Sequence, residues 1–444
     1  MANNKKANRG FIIAAPSSGS GKTVVSLGLI NYLAKTGIDV ASAKAGPDYI
    51  DSAFHAVASG GPCFNLDSWA MRPHTIAANT AALNADFVVC EGVMGLFDGA
   101  QVKAGPDGST ADLSCLTGWP IVLVIDAKSQ AASAAAVLKG FANYRSDILV
   151  AGVIFNRVGS ARHEKILRNA CKKSSPDIPV IGCLPKTEGL NLPERHLGLV
   201  QALEHPNLET FINKASDLIG EYLNINNLLE LAAPLKVKDN FQKYSPLPPL
   251  GGRIAIASDE AFAFTYPSMI KGWRDAGAEI IHFSPLANES PDKHADALYL
   301  PGGYPELHAG QLASASNFFN GISALAKNGA TIYGECGGYM VLGKGLTDAF
   351  GVRHIMSGLL GLETSFEKPE LHLGYRQIKS LANSPLGKIG TSFRGHEFHY
   401  SSVISKTDSA SLFEATDADN NDLGRSGLVN GKVMGSFFHL IDLE

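Results

Sequence analysis

At 444 residues, with 45% hydrophobic and 18% charged side chains, the chain has the balance of a soluble globular protein of two or three domains. A formal charge of −4 argues against the basic footprint of a nucleic-acid partner. No apolar run is long enough for a membrane span or a signal-peptide core. The six cysteines (63, 90, 115, 171, 183 and 336) form no C-x-x-C pair and no metal-ligand spacing. They read as reduced thiols in the cytoplasm.

The first apolar run, residues 11–15, predicts a buried strand. It breaks into a Pro/Ser/Gly loop, and a helical spacing resumes at Val24. Between them lies Gly19-Ser20-Gly21-Lys22-Thr23. Strand, glycine loop, Gly-Lys-Thr and helix in that order make a phosphate-binding P-loop, and so imply ATP and Mg²⁺. Loop N–H groups and the helix N-terminus hold phosphate oxygens, Lys22 supplies a point charge, and the Thr23 hydroxyl can ligate Mg²⁺. Pro16 stands where the first glycine of the motif usually lies.

Further strands are expected at 39–43, 86–90, 121–125, 148–155 and 179–183, with helices at 129–141 and 162–173. Near-continuous Val/Ile runs suit strands buried on both faces, hence a parallel sheet covered by helices. Carboxylates at strand ends point to the crevice of such a sheet. Glu91 occupies the Walker-B position, Asp98 follows on a glycine-rich loop, and Asp48 follows the second strand. A lone carboxylate of this kind is more often a helix cap; three of them beside a P-loop favour metal or substrate.

After residue 235 the chain turns polar and then Pro-rich, as a linker at 236–251 would. New strands are expected at 253–257, 279–283, 297–300, 331–333, 371–378 and 433–440. The strand at 331–333 runs into Gly334-Glu-Cys336-Gly-Gly338, a nucleophile elbow with sulfur in place of the serine oxygen. The N–H of Gly337 and that of Gly303, in the loop after 297–300, are the candidate oxyanion hole. Cysteine needs a base, and His439 is the best placed of thirteen histidines. An amide-hydrolysing cysteine and an ATP site together suggest that ammonia released at one is used at the other.

Taken together the motifs resemble those of the cobyrinic/hydrogenobyrinic acid a,c-diamide synthases, over essentially the full length. They include Gly-Pro-Asp-Tyr-Ile-Asp at 46–51, Asn-Leu-Asp-Ser at 65–68 and Glu-Gly-Val-Met-Gly-Leu-Phe-Asp-Gly at 91–99. Asn-Arg-Val at 156–158, Leu-Pro-Glu-Arg-His-Leu-Gly-Leu at 192–199, Pro-Gly-Gly-Tyr-Pro-Glu-Leu at 301–307 and Arg-Gly-His-Glu-Phe-His-Tyr-Ser at 394–401 follow.

The resemblance implies an α/β chain: a dethiobiotin-synthetase-like P-loop domain (1–235) binding ATP and corrinoid, then a class I glutamine amidotransferase domain (252–444). It implies a glutamine thioester on Cys336, ammonia release, and amidation of the a- and c-acetates through acyl phosphates. Asn156 would read adenine, Thr23, Asp48 and Glu91 would serve Mg²⁺, and Asp48, Tyr49, Ile50 and Asp98 would meet the substrate. The expected partners are ATP, L-glutamine and hydrogenobyrinic or cobyrinic acid, with a homodimer as one assembly. Asn-Leu-Asp-Ser-Trp-Ala-Met (65–71) and Leu-His-Leu-Gly-Tyr-Arg (371–376) favour the metal-free acid. Rival readings are a cell-wall amide ligase of the same architecture and a P-loop switch protein. Class I triads place a Glu two residues after the His; Ile441 stands there instead, so a Cys–His dyad is expected.

Overall fold

The computed structural model describes residues 6, 8–190, 194–195, 198–199, 201–237, 245–407 and 410–444. Four positions of the 192–199 motif and residues 238–244 of the expected linker lie outside these. Contacts divide the chain into two units. Unit 1 is Met1–Trp69, Pro73–Ala100 and Ala104–Phe241; unit 2 is Ala70–Arg72, Gln101–Lys103 and Gln242–Glu444. Two short segments from the first half of the sequence thus group with the second unit. No helix among the described residues is long and apolar enough to cross a membrane.

Unit 1 is built on seven parallel strands: β1 (Arg9–Ala14), β2 (Val40–Ala45), β3 (Cys63–Leu66), β4 (Phe87–Glu91), β5 (Ile121–Asp126), β6 (Val150–Val158) and β7 (Val180–Pro185). Their order is β3-β2-β4-β1-β5-β6-β7. The side chains of β5 from Ile121 to Ile125 are all buried, as a strand covered on both faces requires. Chain direction across the sheet reverses at β1, so the loop after β1 opens at the switch point where α/β sheets bind ligands. That loop feeds helix α1 (Lys22–Lys35). Register places Ile13 and Lys44 on either side of Glu91. The helix expected at 129–141 begins four residues later, at Ser133–Tyr144, after a turn with Ser129 at positive φ.

Unit 2 contains a six-stranded sheet ordered Glu279–Phe283, Arg253–Ala257, Ala297–Leu300, Thr331–Glu335, Val433–Ser436, Leu428–Asn430. All its pairings are parallel except the last. A five-stranded antiparallel sheet includes His372–Ser380, Ser392–His399 and Phe438–Leu443. The single strand expected at 433–440 is therefore two strands in two sheets, interrupted at Phe437. Val433–Ser436 lies beside Thr331–Glu335, and Phe438–Leu443 lies beside Ser392–His399. This break moves His439 from the end of one strand to the second position of the next.

Candidate active sites

In unit 1 the phosphate loop is shaped by Gly21, the N-cap of α1, at φ 94°. L-residues rarely adopt that conformation, and a Cβ there would lie 2.2 Å from Asn156 Nδ2. Asn156 packs this closely because its Nδ2 donates to Ser20 O at 3.0 Å, while its Oδ1 accepts from Arg157 N at 2.9 Å. Arg157 in turn donates to Gly19 O and pairs with Asp126 at 2.6 Å. Asn156 thus buttresses the loop. With Gly21, Leu184, Leu218, Arg157 and Lys186 it also lines a cleft of mixed polarity at the start of α1.

Lys22 is buried and donates to the carbonyl of Met94. Burial lowers the pKa of its ammonium, and the charge of Lys44 adds to that while nearby carboxylates oppose it. Thr23 Oγ1 donates to Glu91 Oε1 at 2.8 Å. Glu91 is itself enclosed by basic side chains: Lys44 Nζ lies 3.1 Å from Oε1 and His55 Nε2 lies 2.7 Å from Oε2. Burial works against its charge, but Lys44 and His55 hold its carboxyl well below the usual range. Lys44 also pairs with Asp51 at 2.6 Å. Burial alone would lower the Lys44 pKa; Asp51, Glu91 and Asp48 raise it instead.

Asp48 caps helix α2 (Tyr49–Ser59), accepting from Ile50 N at 2.8 Å and Asp51 N at 3.1 Å. Ile50, expected at the substrate, is buried, with its N–H given to that cap. Tyr49 is half-buried at the first turn of the same helix. Asp98 is exposed and accepts from Gly95 N at 2.9 Å. The loop carrying it is tied to the strand before the phosphate loop by Leu96 N to Ala15 O at 2.8 Å.

In unit 2 the elbow is present in its strained form, with Cys336 at φ 47° and ψ −105°. The glycines around it serve close approach: a Cβ on Gly338 would lie 1.9 Å from Leu300 O, and one on Gly334 would lie 2.8 Å from the Gly338 backbone. Gly337 opens a short helix, Gly337–Leu342, so its N–H has no intrahelical acceptor. A Cβ on Gly337 would lie 3.2 Å from Gly303 N, so the backbone segments that carry the two candidate oxyanion donors pass close to each other. Gly302 lies where Cys336 and His439, the candidate nucleophile and base, come together. A Cβ there would lie 3.3 Å from Cys336 Cβ, 2.5 Å from His439 Cε1 and 3.4 Å from His439 Nε2.

The Cys336 thiol donates to Phe398 O at 3.7 Å. Burial pushes its pKa up, with Glu306, Glu397 and Glu335 adding to the effect. Burial also drives His439 well below its usual pKa, aided by His396 and His399. A neutral thiol beside a neutral imidazole is the resting state of a cysteine awaiting deprotonation by its base.

Two family models divide the chain as the two folds do. A CobQ/CobB/MinD/ParA nucleotide binding domain matches residues 11–200, and a CobB/CobQ-like glutamine amidotransferase domain matches residues 253–444. A hydrogenobyrinate a,c-diamide synthase of Brucella anthropi is 52% identical over 437 residues, 98% of each chain. The enzyme of that name from Rhizobium meliloti is 51% identical over 441 residues, 98% of this chain and 99% of the relative. The chain belongs to the hydrogenobyrinate a,c-diamide synthase family. It is a glutamine-dependent amidating ligase with an ATP-using domain.

Several polar residues of this synthase sites' surroundings escaped the sequence reading. Lys44 and His55 enclose Glu91, and Asp51 pairs with Lys44; they come from two stretches of sequence, β2 and α2. Their one signal is charge inside apolar segments, such as Lys44 within Val-Ala-Ser-Ala-Lys-Ala. Glu335 is the corresponding residue in unit 2, a carboxylate in the fully buried strand Thr331–Glu335. Asp442, the residue after Ile441, is fully buried and accepts from Arg72 N at 2.9 Å and Arg72 Nη2 at 2.6 Å. The register shift opposite Arg394 and Gly395 skips Ile441, a β-bulge that re-aims the residues after it.

Proposed function

We propose that this synthase amidates the a- and c-acetate carboxylates of hydrogenobyrinic acid in cobalamin biosynthesis, using ammonia from glutamine and phosphate activation by ATP. The substrate is that of relatives matched along 98% of the chain, and the observation that carries the chemistry is Cys336 on its elbow with His439 across Gly302. His439 Nε2 takes the thiol proton, the sulfur attacks the glutamine amide, and Gly303 and Gly337 N–H groups bind the oxyanion. The C–N bond breaks as His439 gives the proton to the departing amide nitrogen, which leaves as ammonia, and water then hydrolyses the thioester to glutamate.

In the nucleotide domain a substrate carboxylate oxygen attacks the γ-phosphorus, ADP leaves, and ammonia displaces phosphate from the acyl phosphate. Gly19, Ser20 and Gly21 cradle the phosphates, Lys22 neutralises the charge that develops on them, and Asn156 holds the loop in shape. Thr23 and Glu91 are hard oxygen donors 2.8 Å apart, which fits Mg²⁺. Bound there, the ion would draw charge from the phosphate oxygens. Asp48 and Tyr49 at the start of α2 and Asp98 on the loop after β4 would meet the substrate. All six cysteines are free, which fits the cytoplasm.

The test separates the two nitrogen sources. Cys336→Ala should lose glutamine-dependent amidation and keep amidation with added ammonium chloride. Loss of both in a folded variant contradicts the division of labour.

A further inference from the structure

The nucleophile and its base are accounted for, but Ile441 stands where the residue that steers the base is expected. The structure brings another carboxylate to that edge of the imidazole. Glu335 Oε2 lies 3.9 Å from His439 Nδ1, with both side chains at most 2% exposed. Because His439 Nε2 lies on the Gly302 side with Cys336, Glu335 and the nucleophile face opposite ring nitrogens.

The surroundings of Glu335 are those of an anion. Oε2 accepts from Tyr299 OH at 2.7 Å, and Oε1 accepts from Tyr333 OH at 3.0 Å. The Leu440 N–H, next in sequence to His439, donates to Oε1 at 3.2 Å. Tyr299 and Tyr333 are themselves stacked, ring centres 6.0 Å apart, in the interior. Three donors converge on one buried carboxylate, and one of them belongs to the backbone that carries the base. Such a cradle costs more than an apolar core of the same volume unless the charge has a use.

We propose that Glu335 is the positioning residue of the glutaminase site, holding the Nδ1 edge of His439 so that Nε2 is presented to Cys336. This rests on the assignment of Cys336 and His439 above. At 3.9 Å the contact is electrostatic rather than a hydrogen bond. Catalytic contacts of this kind tighten when substrate binds. When Nε2 takes the thiol proton the imidazole becomes a cation, and Glu335 supplies its counter-charge. Nδ1 keeps its own proton throughout, so the carboxylate steers the tautomer and does not itself enter the transfer. The carboxylate thus comes from the residue before the nucleophile instead of from the strand of the histidine.

The groups facing this pair are Tyr299, Tyr333 and the Leu440 N–H on Glu335, His396 and His399 on His439, and Glu306 and Glu397 on Cys336. Burial pushes the Glu335 carboxyl up to about 7 against its three donors. Its charge therefore changes near neutral pH.

The experiment compares Glu335→Gln with the unaltered chain in glutamine hydrolysis from pH 5.5 to 9. Replacing the orienting Asp by Asn in a serine-protease triad costs about 10⁴-fold. For a looser contact the expected loss in kcat is about 10²-fold, with KM within about twofold. The acid limb of kcat near neutrality should vanish in Glu335→Gln. A kcat within about twofold of the parent overturns the proposal, as does a fall in which the acid limb persists or KM rises in step. Covalent labelling of Cys336 by 6-diazo-5-oxo-norleucine, counted by mass spectrometry, reports whether the variant's site is intact. If Glu335→Gln fails to fold, Tyr333→Phe decides. Loss of one donor should move the acid limb to higher pH, and an unmoved limb overturns the proposal. Cys336→Ala is run alongside: retained glutaminase activity there refutes the assignment of the nucleophile itself, a failure distinct from that of Glu335.

Discussion

Replacing Glu335 by glutamine should also change how stability depends on pH, because a buried carboxylate stores a cost that glutamine does not. Burial moves the Glu335 carboxyl from 4.5 to about 7. Between those two values the folded chain holds a proton that the unfolded chain has lost. Its contribution to stability is therefore full below the unfolded value and is lost as pH rises through the folded one. Each pH unit of such a gap is worth about 1.4 kcal/mol, which gives about 3 kcal/mol across the window. Glutamine does not titrate, so the difference in stability between variant and parent should drift in favour of the variant by about 2–3 kcal/mol from pH 5 to pH 8. Any fixed cost of the amide in the tyrosine cradle cancels in this double difference. The assay is hydrogen exchange of a peptide covering Thr331–Glu335, read at four pH values, because two units need not unfold together. A difference that stays flat within about 0.5 kcal/mol would refute the reasoning.

Three further outcomes follow from the geometry. Lys22→Ala should lower amidation by about 10²–10³-fold or more from either nitrogen source while glutamine hydrolysis survives; ammonia-dependent turnover at the parental rate removes the P-loop from the mechanism. Gly338→Ala places a Cβ 1.9 Å from Leu300 O, so the elbow must shift; glutaminase activity should fall about 10²-fold, and an unchanged rate of glutamate release contradicts this. Asp442→Asn loses charge opposite Arg72, whose side chain is 28% exposed. It should cost about 2 kcal/mol in urea unfolding and far less glutaminase activity than His439→Asn, which should nearly abolish it; equal losses in the two variants would place Asp442 in the triad.

Strands at 253–257, 279–283 and 297–300 were legible to the residue because short apolar runs end in polar or glycine-rich turns there. The stretch 433–440 was not, because every residue from Val433 to Leu440 is buried. Periodicity cannot place a break inside a run that is apolar or enclosed throughout, and only the neighbouring strands divide it at Phe437. β3 escaped notice because it has four residues, one of them the buried Asn65. The elbow around Cys336 and the phosphate loop show in the sequence because each depends on local chain geometry: a glycine elbow, a strand-to-helix turn. Lys44, His55 and Glu335 do not, since each is defined by what parallel register or a later strand brings against it. The Lys44–Glu91 juxtaposition is set by the pairing of β2 with β4, and that of Glu335 with Leu440 spans more than a hundred residues.

The central claim is that one chain moves the amide nitrogen of glutamine onto ATP-activated carboxylates of a corrinoid. The most direct test is incubation of the purified chain with Mg·ATP, [amide-¹⁵N]glutamine and hydrogenobyrinic acid, with cobyrinic acid in a parallel reaction. Mass spectrometry of the corrinoid and a count of ADP then report the transfer. The expected result is ¹⁵N at both the a and c positions of hydrogenobyrinic acid, with one ADP formed for each amide. Glutamine and ATP consumed with no ¹⁵N in either corrinoid would contradict the account, and labelling of cobyrinic acid alone would contradict the choice of the metal-free substrate.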